Sequence, residues 1–218
     1  MKKILFNSRY GLETAVIERR KTMTRRIIPL RTYNCIDFKA YKEGDVNCAG
    51  EFDDEGWIDW RRLMPYNIGQ EVAIAMSYED VFATEDIDID RWIDMVEKAH
   101  GGTDYRLLPG TDNKMFVKAD LMPLRIKITD MRMEQLQDIS EEDCLREGVE
   151  RWLDGYIVSG LMERSGRNNR VFDTPREAFA ALIDRINGRG TWQDNPWVVA
   201  YTMDLQRAEG FKEQETNK

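Results

Sequence analysis

The sequence predicts an α+β fold, built on a small β-barrel or curled sheet with helices around it. Three observations carry this. Leu124, Ile126 and Ile128 alternate with Arg125, Lys127 and Thr129, the period of two of a half-buried strand. Ile89, Trp92, Ile93 and Val96 recur at i, i+3, i+4 and i+7, the apolar stripe of an amphipathic helix. Strand-like and helix-like segments do not alternate regularly, so the repeated β-α-β units of a parallel sheet are not expected.

Taken in order, residues 3–6 form a short apolar run and read as a first strand. Leu12, Ala15, Val16 and Arg19 recur at helical spacing, which predicts a short helix over 12–20. Residues 31–66 are polar and glycine-containing and read as loop with a weak hairpin. The turn at Gly69 feeds a buried strand ending near Met76. Residues 77–118 look inserted, and hold the amphipathic helix between acidic Asp86, Asp88 and Asp90 and the stop Gly101-Gly102. Ser140 with Asp143 three residues later is a capping-box variant that opens a helix over 140–146. Thr174-Pro175-Arg176-Glu177 is a full capping box, opening a helix that runs to Gly188. The last strand is predicted over 196–203, and the charged tail 207–218 is expected to fray. One domain spanning 1–218 accommodates all of this.

Composition narrows the function. Hydrophobic residues are 42% and charged residues 33% of the 218, enough apolar material for a core. The net charge is -8, which argues against a surface that coats nucleic acid by neutralising phosphates. A single histidine, His100, excludes two-histidine metal motifs within one chain, and its place at a helix end beside two glycines reads as a C-cap. Cys35, Cys48 and Cys144 contain no C-x-x-C pair and read as reduced thiols. No stretch approaches the roughly 20 apolar residues of a membrane span, so a soluble, cytoplasmic protein without membrane contact is expected. No metal or cofactor is expected. Asp86, Asp88, Asp90 and Glu97 imitate calcium-loop spacing, but Arg91 stands where the sharp turn needs glycine.

The charge is unevenly spread. Residues 18–31 hold six basic residues and one acid, +5 in 14 residues, leaving -13 on the other 204. A cationic patch on an acidic body suits a focused anion site, and arginine's planar fork matches phosphate. The competing reading is a solvated helix end whose basic residues complement the dipole. Within this segment Lys21 and Thr24 have the i, i+3 spacing that in a helix would let a desolvated lysine activate a threonine hydroxyl. Arg164, Arg167 and Arg170 form a second small basic loop, read as an ordinary exposed loop or a flap over an anionic ligand.

Arg20-Lys21-Thr22-Met23-Thr24-Arg25-Arg26 resembles the G-R-K-T-x-T-x-R signature of ASCH domains, relatives of the PUA fold. Residues 120–128, 136–148 and 190–198 resemble further segments of the phage and prophage variety. The likeness spans about residues 4–205, with Arg19 where the family typically has glycine. It implies a small PUA-like β-barrel with a helical insertion, and a cleft lined by the signature and the 140–147 helix. RNA or nucleotide binding is the leading implied function, with Arg20, Arg25 and Arg26 as phosphate ligands. The second is an amidohydrolase acting on an acylated nucleoside such as N4-acetylcytidine, with Lys21, Thr24 and Glu147 as catalytic residues. A third, a phage accessory protein with a protein partner, follows from the acidic surface and the insertion.

Overall fold

The computed structural model describes residues 1–50, 56–84, 87–162 and 168–208. Asp86 of the acidic helix start, the loop arginines Arg164 and Arg167, and the tail from residue 209 lie outside them. The described strands are β1 (Lys3–Ile4), β2 (Met23–Ile27), β3 (Glu71–Ile74), β4 (Leu124–Gln135), β5 (Glu150–Trp152), β6 (Gly155–Ile157) and β7 (Trp197–Arg207). Five of them form one sheet in the order β1-β3-β4-β7-β2, and β5 and β6 form a separate ribbon. The pair β1–β3 is parallel and the other neighbours are antiparallel. The α+β class therefore holds. Among the described residues the five-stranded sheet is open, with β1 and β2 at its edges. Those edges approach each other: the Arg26 guanidinium of β2 donates to the Leu5 carbonyl, just beyond β1, at 2.7 Å.

Strand β4 is twice the predicted length because its pattern changes phase. Ile128 pairs with Met203 and Asp130 with Thr202, so Thr129 is an extra residue, a β-bulge. Leu124, Ile126 and Ile128 are buried before it, and Met131 and Met133 after it. A single period of two cannot span both sets. Strand β7 likewise runs on to Arg207, and Ala208 is buried with its N–H on the Pro123 carbonyl, so the frayed tail does not begin at 207.

Among the described residues there are eight α-helices: α1 (Leu12–Ile17), α2 (Leu30–Tyr33), α3 (Phe38–Lys42), α4 (Tyr78–Phe82), α5 (Ile89–Ala99), α6 (Glu141–Arg146), α7 (Pro175–Asn187) and α8 (Thr191–Asp194). The region predicted as loop, 31–66, contains α2 and α3, and isolated bridges join Ile36 to Ala49 and Ala49 to Ile58. Helix α5 is as predicted: Asp88 caps it through the Arg91 N–H, Trp92 and Val96 are fully buried, and His100 is its C-cap. Trp92 and Val96 join the same core as the sheet, and the Trp92 indole donates to the Leu121 carbonyl at 2.9 Å. The 77–118 segment is thus packed onto the domain, and each such large buried side chain contributes about 1.5–3 kcal/mol. No helix among the described residues is long and apolar enough to cross a membrane.

Helices α6 and α7 build the site. Ser140 caps α6 by accepting from the Asp143 N–H at 3.1 Å, but the Asp143 side chain turns to arginines instead of closing the box. Thr174 caps α7, Pro175 opens it, and Ala178, Phe179, Leu182 and Ile183 face the core.

Candidate functional site

The signature is laid between α1, α6 and β7 by its backbone. After α1 the chain reverses at Arg19, whose φ of 61° lies in the left-handed region that favours glycine. The N–H groups of Arg20 and Lys21 then both donate to the Ala15 carbonyl at 2.8 Å. The Thr22 N–H donates to the Arg146 carbonyl at 2.9 Å, tying the segment to the end of α6. From Met23 the chain is strand, not helix. Helical i, i+3 spacing between Lys21 and Thr24 therefore does not apply, which corrects the route by which the two were expected to meet.

Lys21 is 3% exposed and Glu147 4%. The Lys21 ammonium donates to Glu147 Oε2 at 2.5 Å and to the Glu147 main-chain carbonyl at 2.8 Å. Gly148, next in the chain, lets Leu12 pack close. Its φ is +103°, and a Cβ there would lie 3.2 Å from Leu12 and 3.7 Å from the Lys21 stem.

Arg25 has each guanidinium nitrogen on a carboxylate. Nε donates to Glu134 at 2.7 Å, Nη1 to Glu147 at 3.0 Å and Nη2 to Asp143 at 3.0 Å. Arg132 joins it, donating to Glu134 at 2.7 Å and to Asp143. Sheet register explains the convergence. Ala200 of β7 pairs with Arg25 on one side and Arg132 on the other, so both guanidiniums extend over one small side chain. Burial by itself would lower the Arg25 pKa, and the charges of Glu147 and Glu134 more than reverse it, so the group is held above its ordinary value. Burial would raise Asp143, and hydrogen bonds from Arg25 and Arg132 hold it below its ordinary value.

Thr24 and Arg26 point to the opposite face from Arg25, as strand alternation requires. Thr24 pairs with Tyr201 and Arg26 with Val199. A cavity of about 500 Å³ opens beside this edge, in the range of small-ligand sites. Lys21, Thr24, Arg26 and Glu147 line one side, and Phe179, Leu182, Ile183 and Ile186 of α7 line the other. Lys114, from the 77–118 segment, forms part of the rim and donates to the Phe6 carbonyl, to Ser8 at 2.6 Å and to Glu13 at 2.7 Å. Thr24 is buried, and among the described residues Arg26 Nε is buried without a hydrogen-bond partner. Desolvation lowers the Lys21 pKa, opposed in part by the Glu147 charge.

Of the residues singled out from sequence, Lys21, Thr24, Arg25, Arg26 and Glu147 meet at this cavity. Arg20 does not. It pairs with Glu18 at 2.5 Å and Glu150 at 3.3 Å on the surface, because the turn at Arg19 directs it away. Arg25 is also corrected in role: with three nitrogens on carboxylates it is a structural hub rather than a phosphate ligand. Lys114, Glu134, Arg132 and the apolar wall of α7 were missed. Arg132 and Glu134 were findable, since Met131-Arg132-Met133-Glu134 alternates; nothing in the sequence marks Lys114. Among the described residues no three His, Cys, Asp or Glu side chains are grouped to hold a metal, and Glu134, Asp143 and Glu147 are occupied by cations of the chain itself. Comparison of the chain with protein-family models, curated proteins and solved structures finds no match.

Proposed function

We propose that this chain is an ASCH-type, PUA-like protein that binds RNA or a nucleotide-like ligand in the cavity between β2 and α7. The observation that carries the reading is the pairing of two unlike walls. Arg26, with Nε unpartnered among the described residues, offers charge-assisted donors to a phosphate, and the apolar wall of α7 offers a surface for a base. Two further observations support it. Lys21, Thr24 and Glu147, which the resemblance implies as site residues, line one cavity. Arg19, which stands where the family typically has glycine, has the positive φ that glycine favours.

The test is titration of nucleoside monophosphates and a short single-stranded RNA into wild type and Arg26→Ala. A charge-assisted hydrogen bond contributes about 1.5–3 kcal/mol, so the variant is expected to bind about 10–100-fold more weakly. Wild-type protein that binds none of these ligands defeats the proposal.

Amidohydrolysis is the second reading, favoured by a buried threonine that lines the same cavity as a desolvated lysine. In that reaction Thr24 Oγ bonds to the acyl carbon while its proton passes to a neutral Lys21 amine. The C–N bond then breaks, the amine leaves with that proton, and water splits the threonine ester. Glu147 would hold Lys21 in place. Binding is ranked first because the Lys21 ammonium donates to Glu147 twice, and a donor must lose a proton before it acts as a base. Turnover of N4-acetylcytidine followed by chromatography tests it. Activity should vanish in Thr24→Val; equal turnover in that variant, or none in wild type, removes this reading for that substrate.

A further inference from the structure

A second hollow, of about 690 Å³, lies next to the first cavity along the chain. Arg9, Arg170 and Arg185 line it, together with Tyr10, Gly160 and Leu161. The three arginines come from separate places: the 3-10 turn Ser8–Tyr10, the segment after β6, and the last turn of α7. Among the described residues none of the three is ion-paired, although arginines elsewhere are, at Glu18, Asp59, Glu71 and Asp104 for example. Three guanidiniums around one concavity, without an ion pair among the described residues, in a chain of net charge -8, attract an anion.

The floor of this hollow is built by close backbone contact. Gly160 has a φ of +75°, and a Cβ there would lie 2.1 Å from the Arg9 carbonyl oxygen. The Gly160 N–H donates to Asn169 at 3.2 Å, and the Arg170 N–H to the Leu161 carbonyl at 2.6 Å. Asn169 and Arg170 are thereby held to Gly160 and Leu161, and Gly160 abuts the turn carrying Arg9. Arg170 itself lies 4.6 Å over the Phe172 ring, which limits its rotamers. Arg185 complements the carbonyl end of α7, but that role does not account for Arg9 or Arg170.

The two cavities are lined by neighbouring residues of the same two elements. Ser8 lines the first and Arg9 the second, and on α7 Ile186 lines the first and Arg185 the second. We propose that the Arg9–Arg170–Arg185 hollow is a second anion subsite, taking a phosphate of a nucleotide chain whose one residue occupies the first cavity. The nature of the chain rests on the nucleotide reading above; the affinity for phosphate does not.

Calorimetric titration tests this on Arg9→Ala/Arg170→Ala and Arg185→Ala, all at exposed positions. The probes are inorganic pyrophosphate, a nucleoside monophosphate and a single-stranded tetranucleotide. With Arg26→Ala as background, pyrophosphate is expected to bind at least about tenfold more weakly once Arg9 and Arg170 are replaced. The tetranucleotide should lose about tenfold or more in the otherwise wild-type protein, with a shallower salt dependence, and the monophosphate should be unaffected. Pyrophosphate that does not bind, or that ignores the substitutions, overturns the subsite. A tetranucleotide that binds wild type but ignores them overturns its assignment to a chain. If pyrophosphate depends on these arginines while no nucleotide binds wild type, the subsite stands for free phosphate and the nucleotide reading falls.

Discussion

Lys21 grips Glu147 at two points, the carboxylate at 2.5 Å and the main-chain carbonyl at 2.8 Å. The carboxylate is also held by Arg25 at 3.0 Å. One carboxylate at the end of α6 is thus shared by two buried cations from the signature, Lys21 and Arg25. Replacing Glu147 by alanine leaves both without that partner, and removal of one member of a buried pair costs about 3–5 kcal/mol. Chemical denaturation should show a loss of that order for Glu147→Ala. A loss below about 1 kcal/mol would mean that the network contributes little to holding the fold.

Ala200 is the spacer beneath the network. A larger side chain between Arg25 and Arg132 would push the two guanidiniums off their shared carboxylates. Ala200→Leu should cost about 1–3 kcal/mol from overpacking, with added loss as the ion pairs part. Thermal unfolding of Ala200→Leu beside wild type measures it. An unchanged midpoint would contradict the packing described.

Acid sensitivity should pass through Asp143. Its carboxyl is held below its ordinary value of 3.8, because hydrogen bonds from Arg25 and Arg132 outweigh the opposing effect of burial. A depressed folded pKa adds stability that is fully present above 3.8 and is lost as pH falls through the folded value. Asp143→Asn should therefore be less stable near neutrality and show a flatter decline in stability below pH 3.8. Parallel acid profiles for the two proteins would refute this.

Arg19 should be improvable. A non-glycine residue in the left-handed region costs about 1–2 kcal/mol, part of which glycine returns through greater freedom in the unfolded chain. The one hydrogen bond forfeited is exposed and long, Arg19 to the Leu205 carbonyl at 3.3 Å. Arg19→Gly is expected to gain about 0.5–1 kcal/mol in denaturant titration. Destabilisation would show that the guanidinium matters more than the backbone.

The long elements were legible because their patterns have room to repeat. Helix α5 declares itself through four apolar positions over eight residues, and α7 through a full capping box. Helices α2 and α3 have four and five residues, too few for a helical period to show, so 31–66 reads as loop. The site residues Lys21, Thr24 and Glu147 were visible as a signature, but their geometry was not. Spacing treats 21–24 as helix, and only the pairing of Met23 with Thr202 reveals a strand. Lys114 escapes altogether, since its contacts at Phe6 and Ser8 lie more than 100 positions away in the chain.

The bulge at Thr129 has a consequence for how this sheet tolerates change. Before it, strand β4 places Ile126 and Ile128 in the interior; after it, the strand places Met131 and Met133 there while Arg132 and Glu134 lie with Arg25. One extra residue shifts the phase of the alternation so that the apolar set stays inside. Because Ile128 and Asp130 already face successive partners, Met203 and Thr202, deleting Thr129 would leave a regular ladder with every later side chain on its present side. At this one point the strand carries a residue more than its pairing uses.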